Sequence, residues 1–204
     1  IACRVARRSI DEIRIIAVTK EQTPAILPEL AAAGLHDYGE NRLEHLSAMA
    51  TAAPAETRFH HIGRIQSRQI PDIARLSTCV HGLSDAGHAR RLDRACVAIG
   101  KKMPIFLQVN TSGETSKSGC ESAALPALLD VIRSQSSLLV LGLMTMAPPI
   151  PEGGDNMLAS HAFARLRELA QRHGLTRLSM GMSGDFTLAI AEGVARLGHE
   201  PVDH

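Results

Sequence analysis

Lys20 closes an apolar run, Ile15-Ile16-Ala17-Val18-Thr19-Lys20, and is the residue whose type and place could do chemistry most directly. Leaving water favours the neutral amine over the ammonium, and a neutral amine attacks an aldehyde carbon to form an imine. A solvated lysine just past a strand is the plainer alternative, and position alone does not choose between them. Other polar residues also close apolar runs: Glu40 and Asn41, His61, Asn110 and Thr145, with Ser183 following a later one. The segment Leu178 to Ala189 (LSMGMSGDFTLA) sets Ser179, Gly181, Ser183 and Gly184 between a strand and a helix. Small residues there let a phosphate approach backbone N–H groups, and serine hydroxyls add donors. An ordinary helix start capped by Ser183 is the plainer reading of the same residues taken alone.

His60 and His61 are adjacent, and neighbouring strand residues point to opposite faces, so they do not hold one metal ion together. No metal site is expected. His81, His88, His161 and His173 show no convergent spacing and read as surface or core residues. Arg90-Arg91 and Lys101-Lys102 read as solvated helix faces.

The elements that position these residues alternate. Candidate strands are Arg14 to Lys20, His36 to Asn41, Phe59 to Gly63, Cys79 to Leu83, Ile105 to Asn110, Leu138 to Met144, Leu178 to Gly181 and, more weakly, Val194 to Gly198. Helical stretches separate them, the pattern that builds parallel sheets. Thr23 and Pro24 open the first helix, and Gly34, Gly100, Gly174 and Gly193 offer left-handed stops. Between Asp155 and His173 a face of Leu158, Ala162, Phe163, Leu166 and Leu169 should pack on the sheet. Eight βα units without a G-x-G-x-x-G turn after the first strand predict a closed (β/α)8 TIM-like barrel rather than an open doubly wound sheet. The rim residues above would then share its C-terminal mouth. Ala147 to Gly154 (APPIPEGG) is the one obvious flexible segment.

The 204 residues, 45% hydrophobic, suffice for one well-buried core and are read as a single domain, 1–204. A net charge of +1 supplies no excess positive potential for nucleic acid or an anionic membrane. Cys3, Cys79, Cys96 and Cys120 lack the close pairing of zinc or dithiol sites and read as reduced thiols. No apolar run approaches the roughly 18 to 20 residues of a membrane span, so a soluble, cytoplasmic protein is expected. The chain starts at Ile1 inside a helical stretch and stops at Asp203-His204 with no finishing helix, so it reads as truncated at both ends.

Six stretches in order resemble the pyridoxal phosphate homeostasis family, also called the YggS/PROSC family. They are AVTK at 17 to 20, YGEN at 38 to 41, HHIGRIQS at 60 to 67, LQVNTSGETSKSG at 107 to 119, GLMTM at 142 to 146 and LSMGMSGDFTLAI at 178 to 190. The resemblance implies a fold-type III barrel like the N-terminal domain of alanine racemase, with pyridoxal 5′-phosphate held as an internal aldimine on Lys20. It places Asn41 and His61 near the cofactor, Ser179, Ser183 and the backbone after Met182 toward the phosphate, and Arg196 facing the cofactor in Arg196-Leu197-Gly198. An arginine there leaves the ring a poorer electron sink than a carboxylate would, which suits holding the cofactor better than carbanion chemistry. Two departures stand out. Arg68-Gln69 replaces the asparagine-lysine pair frequent in relatives. The last strand also reads about two residues short, with His199-Glu200-Pro201 where a hydroxyl residue and an aromatic-glycine strand end are expected.

The implied function is intracellular vitamin B6 homeostasis without a dedicated reaction, by a monomer that hands cofactor to client enzymes. An amino-acid racemase is the alternative. That fold's racemases take a second base, typically a tyrosine, from a partner's extra β-domain, and the only tyrosine here is Tyr38. A barrel that has lost the cofactor through its altered C-terminus is a third reading.

Overall fold

The computed structural model describes residues 1–113, 118–150 and 156–199. Their strands are β1 (Arg14–Val18), β2 (Asp37–Glu40), β3 (Arg58–His61), β4 (Cys79–Leu83), β5 (Met103–Asn110), β6 (Cys120–Glu121), β7 (Leu138–Met144), β8 (Arg177–Ser179) and β9 (Arg196–His199). Every pairing is parallel, in the order β4-β3-β2-β1-β9-β8-β7-β5, and a β4–β5 pairing closes the ring. Eight strands thus form the expected barrel, and β6 adds a short pairing on β5. The weakly marked last strand is real: β9 pairs with β1 from Arg14↔Arg196 to Ala17↔His199. Residues 200–204, where its continuation was expected, and 151–154 of the expected flexible segment lie outside the described residues.

Inside and outside follow the strand period of two. Ala17, Tyr38 and Phe59 point outward and pack with Leu27, Leu30, Leu46 and Met49. Leu27 and Leu30 lie on the helix Leu27–Ala32, Leu46 and Met49 on the helix Leu43–Ala52. A larger outer cluster buries Ile105, Leu107, Val109, Leu143, Leu178 and Leu197 beneath the remaining helices. Inside, Cys79, Phe106 and Met144 form a small cluster of their own. The stagger of the registers stacks Ile16, His60, Phe106 and Ser179 as one layer and Gly39, His81, Met144 and Gly198 as the next, each drawn from alternate strands. The filling is unusually polar.

Helix punctuation follows the sequence in most places. Gly34, Gly100, Gly174 and Gly193 all adopt positive φ. Thr23 precedes a 3₁₀ turn, Pro24–Ile26, without a side-chain cap bond. On the helix Met157–Arg172 the buried face begins at Ala159, while Leu158 is 68% exposed. Among the described residues no helix is long and apolar enough to cross a membrane.

Candidate functional site

A cavity of about 390 Å³ opens among the C-terminal ends of the strands. Lys20, Asn41, Ser179, Met182 and Gly198 all line it, together with Thr145 and the apolar Ile16, Val18, Ile62, Met144 and Met180. Lys20 is half-buried, two residues beyond β1. The turn that carries it is pinned from both sides. Thr19 N–H donates to Gly39 O at 3.1 Å and Gln22 N–H to Thr19 O at 2.9 Å. The Thr19 hydroxyl donates to the fully buried Glu40 carboxylate. His45 spans the gap, with Nδ1 2.7 Å from Glu40 Oε2 and Nε2 2.7 Å from Gln22 O. A carbonyl and a carboxylate both accept, so this imidazole carries two N–H groups. Burial would lower its pKa, but the bonds to Glu40 and Gln22 raise it above the ordinary value. Glu40 therefore serves the loop from outside the barrel and does not line the cavity.

The opposite wall is the turn between β8 and the helix Phe186–Ala191. Its cap is Asp185 and not Ser183: Asp185 ends the turn, and its Oδ1 accepts from Met182 N–H at 2.5 Å. Burial pushes the Asp185 carboxyl up, against the bonds it accepts. Ser183 is exposed beside Met182 and does not itself line the cavity. Gly181 sits at φ +91, and a Cβ there would fall 2.6 Å from Ala189 Cβ and Leu197 Cδ2. Only glycine meets both demands. Gly63 does similar work across the mouth, where a Cβ would lie 2.1 Å from Asn41 O.

Two expected residues lie elsewhere. His61 shares the outward face of Phe59, two residues earlier on β3, and is fully buried away from the cavity. Neither ring nitrogen has a hydrogen-bond partner among the described residues, and burial pushes its pKa down to about 4. The inward histidine is His60. Arg196, the first residue of β9, lines a second cavity of about 660 Å³ at the N-terminal mouth, with Arg14, Arg177 and Asp37. Gly198, two residues later on the same face, reaches the upper cavity instead. Arg196 Nη1 donates to Ala195 O at 3.2 Å, and its buried Nε has no partner among the described residues.

Sequence reasoning missed the chain that joins the two cavities. Asp37 Oδ1 lies 2.8 Å from His60 Nε2, His60 Nδ1 lies 2.9 Å from His81 Nε2, and His81 Nδ1 lies 2.8 Å from Ser179 Oγ. His81 also stacks on Phe106 at 4.7 Å between ring centroids. The signal lay in strand alternation, since Asp37, His60, His81 and Ser179 fall on the inward phase of four short strands, but no spacing within the chain joins them. His60, Cys79 and His81 bring ligand-type atoms within 4.8 Å of one another. The two imidazoles already bond each other and Arg196 lies alongside, which opposes a cation there.

Comparison with known proteins agrees with this geometry. Residues 3–199 match the family described as alanine racemase, N-terminal domain. The Pyridoxal phosphate homeostasis protein of Pseudomonas aeruginosa is 41% identical over 196 residues, 94% of this chain and 84% of that one. The chain belongs to the pyridoxal phosphate homeostasis family. Another pyridoxal phosphate homeostasis protein, from Aquifex aeolicus, is 30% identical over 97% of this chain and 89% of its own. The structure of PipY from Synechococcus elongatus PCC7942 with PLP bound superposes with a TM-score of 0.85 at 28% identity, covering 97% of this chain and 95% of PipY. An alanine racemase of Clostridium difficile 630 shares the fold alone, with a TM-score of 0.78 at 9% identity over 97% of this chain and 53% of the racemase.

Proposed function

We propose that this chain binds pyridoxal 5′-phosphate in the C-terminal cavity and serves cofactor homeostasis rather than a dedicated reaction. The observation that carries the reading is Lys20, a half-buried amine on a pinned turn, facing apolar walls suited to a flat ring. Fit to the phosphate rests on the turn between β8 and the helix Phe186–Ala191. Gly181 admits no side chain there, and at Gly184 a Cβ would meet nothing within 4 Å, so a bulky anion can come close to backbone N–H groups. PLP, when bound, would supply an aldehyde carbon open to the Lys20 amine, with water as the leaving group. Ser179, Met182 and Gly198 would hold it from the cavity wall, Ser183 would reach its phosphate from the exposed turn, Asn41 would flank it, and Arg196 would act from below the floor. Its charge lies close to His60 and His81 and opposes their protonation.

A non-catalytic role is supported by how the proton-transferring groups that line the cavity are held among the described residues: His81 is bonded to His60 and Ser179, and the Asp185 carboxyl accepts from Met182 N–H. Tyr38 is fully buried in the outer cluster and donates to Leu35 O at 2.9 Å, so it cannot serve. We read the protein as a cytoplasmic monomer that passes cofactor to client enzymes. Alanine and serine isomerisation by the loaded protein tests this: turnover slower than roughly 1 s⁻¹ is expected, and ordinary enzyme rates would make it a racemase.

A further inference from the structure

The buried chain Asp37–His60–His81–Ser179 has a direction that the donors and acceptors dictate. Asp37 is 4% exposed, and it accepts from Arg58 Nη2 at 2.7 Å and Arg58 Nε at 3.0 Å as well as facing His60. Burial alone would raise its carboxyl, but the bonds from His60 and Arg58 and the charge of Arg14 hold it well below the usual carboxylate range. An ionised carboxylate only accepts, so the His60 proton sits on Nε2. Burial lowers the pKa of His60, helped by the charges of Arg196 and Arg14, and that of His81 still further. Both rings are neutral. His60 Nδ1 then accepts from His81 Nε2–H, and His81 Nδ1 accepts the proton of the Ser179 hydroxyl. The thiol of Cys79, raised to about 12 by burial, stays protonated, and the nearby His61, pushed down to about 4 by burial, stays neutral.

Ser179, the end of the chain, lines the cavity, and its only proton is committed inward. We propose that Asp37, His60 and His81 are positioning residues that turn Ser179 into a hydrogen-bond acceptor toward the cavity, which therefore selects a ligand presenting an N–H or O–H donor at that spot. For the ligand's identity this rests on the cofactor reading. The polarity of the chain does not.

The test has two parts. Nitrogen-15 NMR of histidine-labelled, unloaded protein at neutral pH reads the tautomers directly. His81 is expected to show a protonated Nε2 and a bare Nδ1, and Asp37→Asn to disturb that signature although His60 stands between the two. His81 carrying its proton on Nδ1 in the native chain overturns the proposal without any variant. The second part follows the dissociation rate of pyridoxal phosphate from the loaded protein. Ser179→Ala should speed it about fivefold, the worth of one neutral hydrogen bond, and Ser179→Thr should restore it. Asp37→Asn combined with Ser179→Ala should be no faster than Ser179→Ala alone, whereas multiplied effects would overturn the coupling. A protein that never takes up the cofactor overturns the cofactor reading, while the tautomers still decide the polarity.

Discussion

Replacing His61 by leucine should stabilise the protein, and increasingly so as the pH falls. His61 is fully buried, and neither ring nitrogen is hydrogen-bonded to a described residue. A buried polar group left unmatched costs about 1–3 kcal/mol, and leucine, similar in volume, removes that cost while adding less than about 1.5 kcal/mol of repacking. The pH term has a definite sign. Burial holds the folded pKa at about 4, below the ordinary histidine value of about 6.5, so between those limits the unfolded chain binds a proton that the folded chain refuses. The contribution is intact above about pH 6.5 and is lost as the pH falls toward 4, up to about 3 kcal/mol in all. His60 and His81 add losses of the same sign, but they are common to both proteins and cancel in the comparison. Urea unfolding of both proteins between about pH 4.5 and 7.5 gives the difference directly. His61→Leu should match or exceed the native chain at neutral pH and pull further ahead in acid. A variant that parallels the native pH slope would refute the buried, neutral imidazole, and one that loses bound pyridoxal phosphate at neutral pH would return His61 to the cavity.

Gly181→Ala should cost about 2–5 kcal/mol, from positive-φ strain and overpacking against Ala189 and Leu197, and should release the cofactor. Gly184→Ala, with open space around its Cβ, should stay within about 1 kcal/mol of native; thermal unfolding and retained cofactor compare the pair. Phe163→Ala empties a fully buried position on the helix Met157–Arg172 and should lower stability by about 3–5 kcal/mol in denaturant titrations while leaving the cofactor's spectrum unchanged in the folded fraction.

Much of the barrel was legible because its strands carry a local signal. Cys79–Leu83 and Leu138–Met144 were bounded in the sequence as they stand in the structure, and the four glycine stops adopt the left-handed turn expected. β9 was faint because Arg-Leu-Gly-His offers little apolar pattern, and its partner β1 lies far away in the chain. Leu158 outranked Ala159 by hydrophobicity, yet helix phase turns the alanine inward. The site divided along the same line. Lys20, Asn41 and Thr145 converge as their strand-end positions suggested, and Ser179, from the small-residue segment, joins them with Met182 and Gly198, which only the resemblance supplied. His61 and Arg196 did not, since one residue of strand phase separates His61 from the inward His60 and one strand level separates Arg196 from the mouth. The Asp37–His60–His81–Ser179 chain depends on four strands meeting, which no local pattern records.

The central claim is that Lys20 holds pyridoxal phosphate, and borohydride trapping tests it most directly. Protein incubated with the cofactor should turn yellow, and after reduction, proteolysis and mass spectrometry the phosphopyridoxyl mass should sit on the peptide containing Lys20. Lys20→Ala should lose both the visible band and the adduct. A colourless native protein, or an adduct confined to other lysines and undiminished in Lys20→Ala, would contradict the account.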